Sequence, residues 1–209
     1  KKKNVPKFKK AIAARVILKS KSELNISDEN ISLMLGGNSH IVLYPINKKR
    51  ELNLVCIMRS KKFDPDNTKQ LITDLVLKQN PNLKNIFDNE IKSLPLYFTP
   101  KILSSSNKKV FYIGDAFNGF LPTLAQGAGQ SIESAYEIFN LFKENKLDPD
   151  TYFKLRSKRA KIVRKRSNLN FFVFHFSNSL IQNIRNIILR FLVKRKKFIE
   201  SYLGKVYEN

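Results

Sequence analysis

The stretch from 108 to 142 constrains the fold of this chain most, because it joins a strand pattern to a glycine-rich helix start. Residues 110–113 are a short apolar, β-branched and aromatic run, which predicts a buried strand. Gly114 and Asp115 end that strand, and residues 116–126 predict a loop. The sequence therefore predicts a strand that delivers a carboxylate into a loop.

The helix that follows begins at very small residues, Gly127, Ala128 and Gly129. Small residues let backbone N–H groups approach a ligand, and the positive end of the helix dipole favours negative charge there. A carboxylate at a strand end can accept hydrogen bonds from ribose or ribitol hydroxyls, and ligands of open α/β sheets lie beyond such ends. This pattern favours a nucleotide or flavin site; the alternative is a turn that only packs. The apolar residues predicted to form one face of the helix are Ile132, Ala135, Tyr136, Phe139 and Phe142.

The segment GDAFNGFLPTLAQGAGQSIES, residues 114–134, resembles the second flavin-contact motif of the FAD-dependent aromatic-ring hydroxylases. This is the para-hydroxybenzoate and salicylate hydroxylase type, with the ubiquinone-pathway hydroxylases included. Phe117 and Asn118 depart from the family pattern, which usually has Ala-His there. The residues that keep the motif's register without a gap are Gly114, Asp115, Ala116, Pro122, Gln126, Gly127, Ala128 and Glu133.

The resemblance implies a role for each residue of this motif. It makes Asp115 the acceptor for a ribitol hydroxyl and places Pro122 as a wall beside the reactive edge of the flavin. It directs the backbone N–H groups of 127–129 toward the flavin N1–C2=O edge, where they stabilise the anion formed on reduction. Gln126 shapes the turn. The implied cofactor-binding residues are Gly114, Asp115, Pro122, Gln126, Gly127, Ala128 and Gly129.

The activity that the resemblance implies is hydroxylation of an aromatic substrate with FAD, NAD(P)H and O2, through a flavin C4a-hydroperoxide. The family's GxGxxG motif and its middle Asp-Gly motif are absent, and the chain starts at Lys1. We therefore expect the carboxyl-terminal part of such an enzyme, inactive without its amino-terminal half. The alternatives are a reductase or epoxidase of the same fold, or a non-catalytic basic module that binds nucleic acid or a membrane surface.

The implied fold class is α/β, and α+β within this chain. We expect a substrate-binding antiparallel sheet in 1–104, the carboxyl-terminal part of a Rossmann-like FAD-binding domain in 105–145, and a helical region in 146–209. Strands are predicted at 11–18, 31–35, 40–46 and 51–58, with the last two forming a hairpin, and an edge strand at 94–97.

Two residues of the predicted sheet are candidates for substrate contact. Arg15 matches an arginine common on the first strand of the family's sheet, which roofs the substrate pocket, and Tyr44 lies in a Tyr-Pro step that resembles the same sheet. A guanidinium can pair with a substrate carboxylate through two hydrogen bonds. The alternative for Arg15 is a structural ion pair or hydrogen bond.

Four helices are predicted outside the motif. Residues 68–79 have one apolar face and follow Asp64 as a cap, and 82–89 form a short helix. The basic helix 151–168 is expected to present a solvated face. The amphipathic helix at 180–192 is expected to pack on the protein's own core; the alternative is contact of 180–203 with an anionic membrane surface.

The net charge is +22, from 39 Lys and Arg against 17 Asp and Glu. Such a balance is typical of nucleic-acid or membrane-surface binding. The basic residues are spread along the chain, however, so we favour a lysine- and asparagine-rich background and do not expect a nucleic-acid partner. Cys56 is the single cysteine, which fits a core residue in a reducing cytoplasm, with the inner face of a membrane as an alternative location. His40 and His175 are far apart in sequence, and no metal site is predicted.

Overall fold

The computed structural model describes residues 5–18, 30–48, 51–79, 81, 90–204 and 206. The predicted helix at 82–89 lies outside the described residues. By its internal contacts the chain forms two compact units, one of 8–96 with 174–184, the other of 97–173 and 185–209 with the start of the chain. The division at 104 and 145 stays a prediction about domains.

The predicted antiparallel sheet is confirmed, with five strands in the order β2-β3-β4-β1-β5. Strand β3 pairs antiparallel with β4, and Ile46 lies opposite Glu51 at the predicted hairpin. Strand β1 begins at Lys7 and not at residue 11, and β5 lies at the sheet edge as predicted. The strands are β1 (Lys7–Leu18), β2 (Ser32–Leu35), β3 (Ser39–Ile46), β4 (Glu51–Arg59) and β5 (Lys92–Phe98).

One face of this sheet forms the apolar core of its unit together with helix α1 (Pro65–Gln79). Val16 and Leu54 lie opposite each other in β1 and β4, and both are almost fully buried against Ile72 of α1. Each such side chain stabilises the fold by roughly 1.5–3 kcal/mol relative to exposure. Asp64 accepts hydrogen bonds from the first backbone N–H groups of α1, so the predicted cap is confirmed.

Cys56 lies in the same core, as expected from the sequence. Its side chain is fully buried, and burial raises the pKa of the thiol to about 12. A thiol with so high a pKa is protonated at neutral pH and is a poor nucleophile.

The helices predicted to begin at 127, 151 and 180 are confirmed. Helix α4 is longer than predicted because it starts at a cap formed by Asp148 and continues through the apolar run that begins at Phe171. The helices beyond α1 are α2 (Gly114–Asn118), α3 (Gly127–Lys143), α4 (Pro149–Phe174), α5 (Ser179–Leu192) and α6 (Lys196–Ile199), which continues as a π-helical turn, Glu200–Gly204.

The prediction of a buried strand at 110–113 is wrong. Val110 and Ile113 are 38% and 43% exposed, and neither lies in a strand, although the backbone of Ile113 is extended. A strand exists only where a neighbour takes its backbone hydrogen bonds, and no described residue pairs with this segment as a strand. The loop predicted for 116–126 is also wrong, because α2 and a 3₁₀ turn, Pro122–Leu124, interrupt it.

Helix α3 exposes most of its predicted apolar face. Ile132 is 70% exposed and Phe142 is 67% exposed, with Tyr136 and Phe139 between them. The side chains buried by α3 within its unit are Gln130, Ser134 and Leu141. Helical periodicity therefore located the helix and its apolar face, and that face is exposed in this chain.

Candidate functional site

Helices α2 and α3 are held together at Gly114. The residue has φ +54°, a left-handed conformation that favours glycine, and a β-carbon added there would lie 2.6 Å from the Ser131 hydroxyl. Ser131 in turn donates a hydrogen bond to the carbonyl oxygen of Gly127 at 3.0 Å. The structure thus places Gly114 against the start of α3, and Asp115 is the next residue of α2.

The amino terminus of α3 has no side-chain cap. Gln126 occupies the cap position with a helical backbone and makes no capping hydrogen bond. The first N–H groups of a helix have no intrahelical acceptor, so those of Gly127, Ala128 and Gly129 need a partner from elsewhere. A β-carbon added at Gly127 would meet nothing within 4 Å. The helix start is therefore open, as an anion-binding or flavin-binding helix terminus must be.

Asp115 is exposed in the first turn of α2. Within the described part of the chain, its carboxylate has no hydrogen bond or ion pair, so its acceptor capacity is free for a ligand. Pro122 and Ala128 are exposed as well, whereas Gln126 is only 8% exposed and its amide oxygen accepts a hydrogen bond from Gln130 at 3.4 Å. Gln126 therefore stabilises the turn from beneath while Asp115 and Ala128 face outward.

A polar cluster from α4 fixes the buried side of α3. Arg156, which is 6% exposed, donates to the Gln130 side-chain oxygen at 2.9 Å and to Glu133 at 3.0 Å. Arg159 donates to the same carboxylate at 3.2 Å. Burial alone raises the pKa of Glu133, but hydrogen bonds from Arg159 and Arg156 outweigh it and hold the pKa below its usual value. Glu133 is thus an ionised anchor for the helix that carries the site.

The expectation of a solvated basic face on α4 holds for the lysines of this helix but not for its arginines. The arginines of α4 are buried or half-buried, whereas its lysines, Lys154, Lys158, Lys161 and Lys165, are exposed. A guanidinium offers several donors in a planar fork and is more weakly hydrated than an ammonium group, so it suits buried polar contacts. Sequence reasoning missed Arg156 and Arg159 because it treated all basic residues of the helix alike.

Asn118, which stands where the family has histidine, is fully buried within its unit. Its side-chain oxygen accepts a hydrogen bond from Arg164 of α4, and Arg164 also donates to the carbonyl oxygen of Pro100 at 2.9 Å. The next residue, Gly119, donates its N–H to the Thr99 hydroxyl at 2.9 Å. These contacts give the departure from the motif a structural role, since they fix the loop that follows Asp115.

A small pocket in the same unit does not contain the predicted site. It is lined by aromatic and aliphatic side chains, among them Leu103, Phe111, Phe117 and Tyr152. Tyr152 crosses beneath it and donates its hydroxyl to the carbonyl oxygen of Tyr112 at 2.9 Å. The candidate flavin site is therefore an open surface at the start of α3.

In the other unit, the sheet face opposite the core carries both predicted substrate contacts. Arg15 is exposed and donates a hydrogen bond from Nε to the side-chain oxygen of Asn53, and Tyr44 lies directly opposite Asn53 in the β3–β4 pair. Asn53 is fully buried, and its amide nitrogen has no hydrogen-bond partner in the described structure. Sequence reasoning missed Asn53, which lies opposite Tyr44 and accepts the hydrogen bond from Arg15. The substrate roles of Arg15 and Tyr44 stay predictions.

His40 and His175, distant in sequence, meet inside this unit with 3.2 Å between Nδ1 of the first and Nε2 of the second. Both are buried, and burial, followed by the charge of His175, lowers the pKa of His40 to about 3. In the described residues no group of three or more His, Cys, Asp or Glu side chains is placed to hold a metal ion. The two rings are therefore a buried packing contact, and His40 is neutral at physiological pH.

Curated proteins with a similar sequence are monooxygenases. No protein-family model matches the chain. Two curated relatives from Streptomyces platensis, the 3-amino-4-hydroxybenzoate 2-monooxygenases PtmB3 and PtnB3, are each 24% identical over 163 residues, which is 73% of this chain and 41% of theirs. The chain thus spans less than half the length of the curated relatives that it matches.

Solved structures superpose on almost the whole length of this chain. Klebsiella pneumoniae HpxO, complexed with FAD and uric acid, superposes with a TM-score of 0.82 at 11% identity, over 98% of this chain and 55% of HpxO. A salicylate hydroxylase substrate complex gives a TM-score of 0.69 at 18% identity, over 97% of this chain and 57% of that one. The chain has the fold of FAD-dependent hydroxylases, and the resemblance drawn from 114–134 is confirmed at the level of fold.

The start of α3 is an open surface, and HpxO, which has this fold, was solved with FAD. An uncapped helix terminus, open space where a β-carbon of Gly127 would stand, and a carboxylate at Asp115 that no described residue pairs with are features that suit a ligand with hydroxyl and carbonyl groups. In the described part of the chain, none of the helices is both long and apolar enough to cross a membrane.

Proposed function

We propose that this chain is the carboxyl-terminal half of an FAD-dependent monooxygenase that hydroxylates an aromatic substrate with NAD(P)H and O2. The observation that carries the proposal is the open start of α3 beside Gly114 and Asp115. That arrangement occurs in a chain whose fold is that of FAD-dependent hydroxylases and whose curated relatives are monooxygenases.

Each residue of the site has a role that its placement supports. Asp115 accepts a hydrogen bond from a ribitol hydroxyl, because its carboxylate is exposed and the described residues leave it unpaired. The N–H groups of Gly127, Ala128 and Gly129 donate to the carbonyl edge of the flavin ring, with the helix dipole adding to their effect. Pro122, which is exposed in the 3₁₀ turn, packs beside the edge of the flavin ring. FAD itself supplies the redox chemistry, and the protein positions it and excludes water.

The interior of the site keeps these donors in place during catalysis. Arg156 and Arg159 hold Glu133, and with it one face of α3, through charge-assisted hydrogen bonds. Arg164 holds Asn118 and the loop after Asp115. A rigid frame of this kind keeps donors aimed at the flavin without reorganisation when charge develops on it.

The substrate face of the enzyme is the surface of the sheet that carries Arg15, Asn53 and Tyr44. A guanidinium beside a tyrosine ring suits an aromatic substrate that bears a carboxylate. The unpartnered amide nitrogen of Asn53 is a further donor in the same row, since a buried N–H without an acceptor destabilises the fold unless a ligand satisfies it.

The amino-terminal half of the enzyme covers the exposed apolar surface beside the flavin site. Val110 and Ile113 are part of this exposed surface, and the outward face of α3 adds Ile132, Tyr136, Phe139 and Phe142. Soluble proteins seldom leave such a contiguous apolar face uncovered. The chain alone therefore holds FAD weakly and is inactive.

The visible spectrum of the protein made from the complete reading frame tests this proposal. We expect a yellow protein with one flavin per chain that oxidises NAD(P)H when an aromatic carboxylate is added. The 209-residue chain, purified as the control, is expected to be colourless. A complete protein that is colourless and takes up no added FAD would overturn the proposal.

A further inference from the structure

Helix α5 is amphipathic, but it faces its apolar side away from the protein. Within this helix the buried residue is Arg185, which is 4% exposed and donates to the carbonyl oxygen of Val173 at 3.4 Å. Within the described residues the apolar face is therefore not packed on a core, in contrast to the default expectation. The exposed face of α5 consists of Leu180, Ile181, Ile184, Ile187, Ile188 and Phe191, each between 44% and 71% exposed.

The charge next to this face has one sign. Six arginines and lysines and no acidic residue lie between Ser179 and Ile199. After Arg185 and Arg190, they are clustered at 194–197, immediately beyond the carboxyl end of the apolar face, and all four of these side chains are exposed. Arg195 lies over the Phe191 ring at 4.1 Å, so its guanidinium stays at the edge of the apolar face.

These features distinguish α5 from α3, whose apolar face is also exposed. The outward face of α3 adjoins the flavin site and has no basic cluster, which suits burial by another protein domain. The α5 face combines apolar side chains with a row of cations, and a protein partner would have to desolvate those cations. An anionic lipid surface can bind the apolar and the basic side chains together, because the acyl chains bury the apolar side chains and the headgroups pair with the cations.

We propose that α5 and the basic residues 194–197 dock this protein on an anionic membrane surface. The helix, about 21 Å long, lies in the plane of the interface with Ile184, Ile187 and Phe191 among the acyl chains. Lys194 and Lys197 contact lipid phosphates. This inference stands on α5 alone and does not depend on the flavin site.

Tryptophan fluorescence gives a clean test because the chain contains no tryptophan. The variant Phe191→Trp is mixed with vesicles of equal parts phosphatidylglycerol and phosphatidylcholine, and with vesicles of phosphatidylcholine alone. The matched control is Ile132→Trp, at a position on α3 that is also more than half exposed. We expect a blue shift of emission for Phe191→Trp with the anionic vesicles, and none for Ile132→Trp.

Vesicle sedimentation of the otherwise unchanged chain separates the two contributions. Ile187→Glu with Phe191→Glu removes the apolar contact, and Lys194→Gln with Lys197→Gln removes two charges; each pair is expected to weaken binding at least roughly tenfold. The control pair Lys154→Gln with Lys158→Gln, exposed on α4, is expected to bind like the parent chain.

Three results would overturn the proposal. One is equal binding to neutral and anionic vesicles, which would indicate general apolar adhesion. Another is unchanged binding by the Ile187→Glu and Phe191→Glu pair. The third is a dimer in analytical ultracentrifugation that this same pair dissociates, because the face would then be an interface between two copies of the chain.

Discussion

A β-carbon at Gly114 would lie 2.6 Å from the Ser131 hydroxyl, so these two residues set how closely α2 approaches α3. Gly114→Ala is therefore expected to destabilise the fold through this contact and through its left-handed backbone, which alone costs a residue with a β-carbon about 1–2 kcal/mol. Urea unfolding of the chain measures the change. Adding Ser131→Ala is expected to restore part of the loss, and no recovery would show that the contact is not limiting.

A substitution at Gly127, in the same motif, is expected not to destabilise the fold, in contrast to Gly114→Ala. An added β-carbon meets nothing within 4 Å there, so Gly127→Ala is expected to leave urea unfolding of the chain unchanged or slightly improved. If FAD lies against this turn, the same variant weakens FAD binding in the complete protein. Loss of chain stability in Gly127→Ala would mean that this glycine has a packing role, as at Gly114.

Arg156 is expected to be the most important basic residue of α4 for stability. Arg156→Met leaves the buried side-chain oxygen of Gln130 without its Arg156 donor and removes one of the donors to Glu133, which we expect to lower the free energy of unfolding by roughly 1–3 kcal/mol. Lys154→Met, at an exposed position on the same helix, is expected to change it by less than about 0.5 kcal/mol. Equal effects of the two substitutions in urea unfolding would contradict the assignment.

The contrast between arginine and lysine on α4 shows where sequence reasoning ends. The helix was predictable from composition and spacing, and so was the order of acidic residue, turn and glycine-rich helix start. The partners of Arg156 were not, since Gln130 and Glu133 lie more than twenty residues away and no local pattern links them. The strand prediction for 110–113 was wrong for a related reason. A strand forms only beside another strand, and the sequence of the segment does not show whether one is present.

The sheet was easier to predict than the face on which each helix packs. Strands β3 and β4 alternate or cluster apolar residues and are joined by a short polar turn, so their pairing follows from local sequence. An apolar stripe, by contrast, indicates that a face is covered but not by what. Phe142 on α3 and Ile187 on α5 are both exposed within this chain, and periodicity alone does not show what covers either of them.

The His40 and His175 pair makes the stability of the chain depend on pH. The pKa of His40 falls from 6.5 to about 3 in the folded chain, so below pH 6.5 the unfolded state binds a proton that the folded state does not. Stability from this residue is intact above that pH and falls as the pH drops from 6.5 toward 3. At about pH 5 the expected loss is on the order of 2 kcal/mol.

Urea unfolding midpoints at neutral and mildly acidic pH measure this dependence. Other groups also titrate in the range, so His40→Gln serves as the control, and it is expected to lose less stability than the parent chain between the two pH values. An identical fall in both proteins would mean that His40 does not resist protonation in the folded state.

The central claim is that Asp115 and the open start of α3 hold a flavin. The direct measurement is the dissociation constant for FAD of the complete protein and of its Asp115→Ala variant, with Asp150→Ala, an exposed aspartate on α4, as the control. We predict that Asp115→Ala weakens FAD binding roughly 10- to 100-fold, because a hydroxyl loses a charged acceptor, and that Asp150→Ala binds like the parent. Equal affinity of the Asp115→Ala variant and the parent would contradict the account.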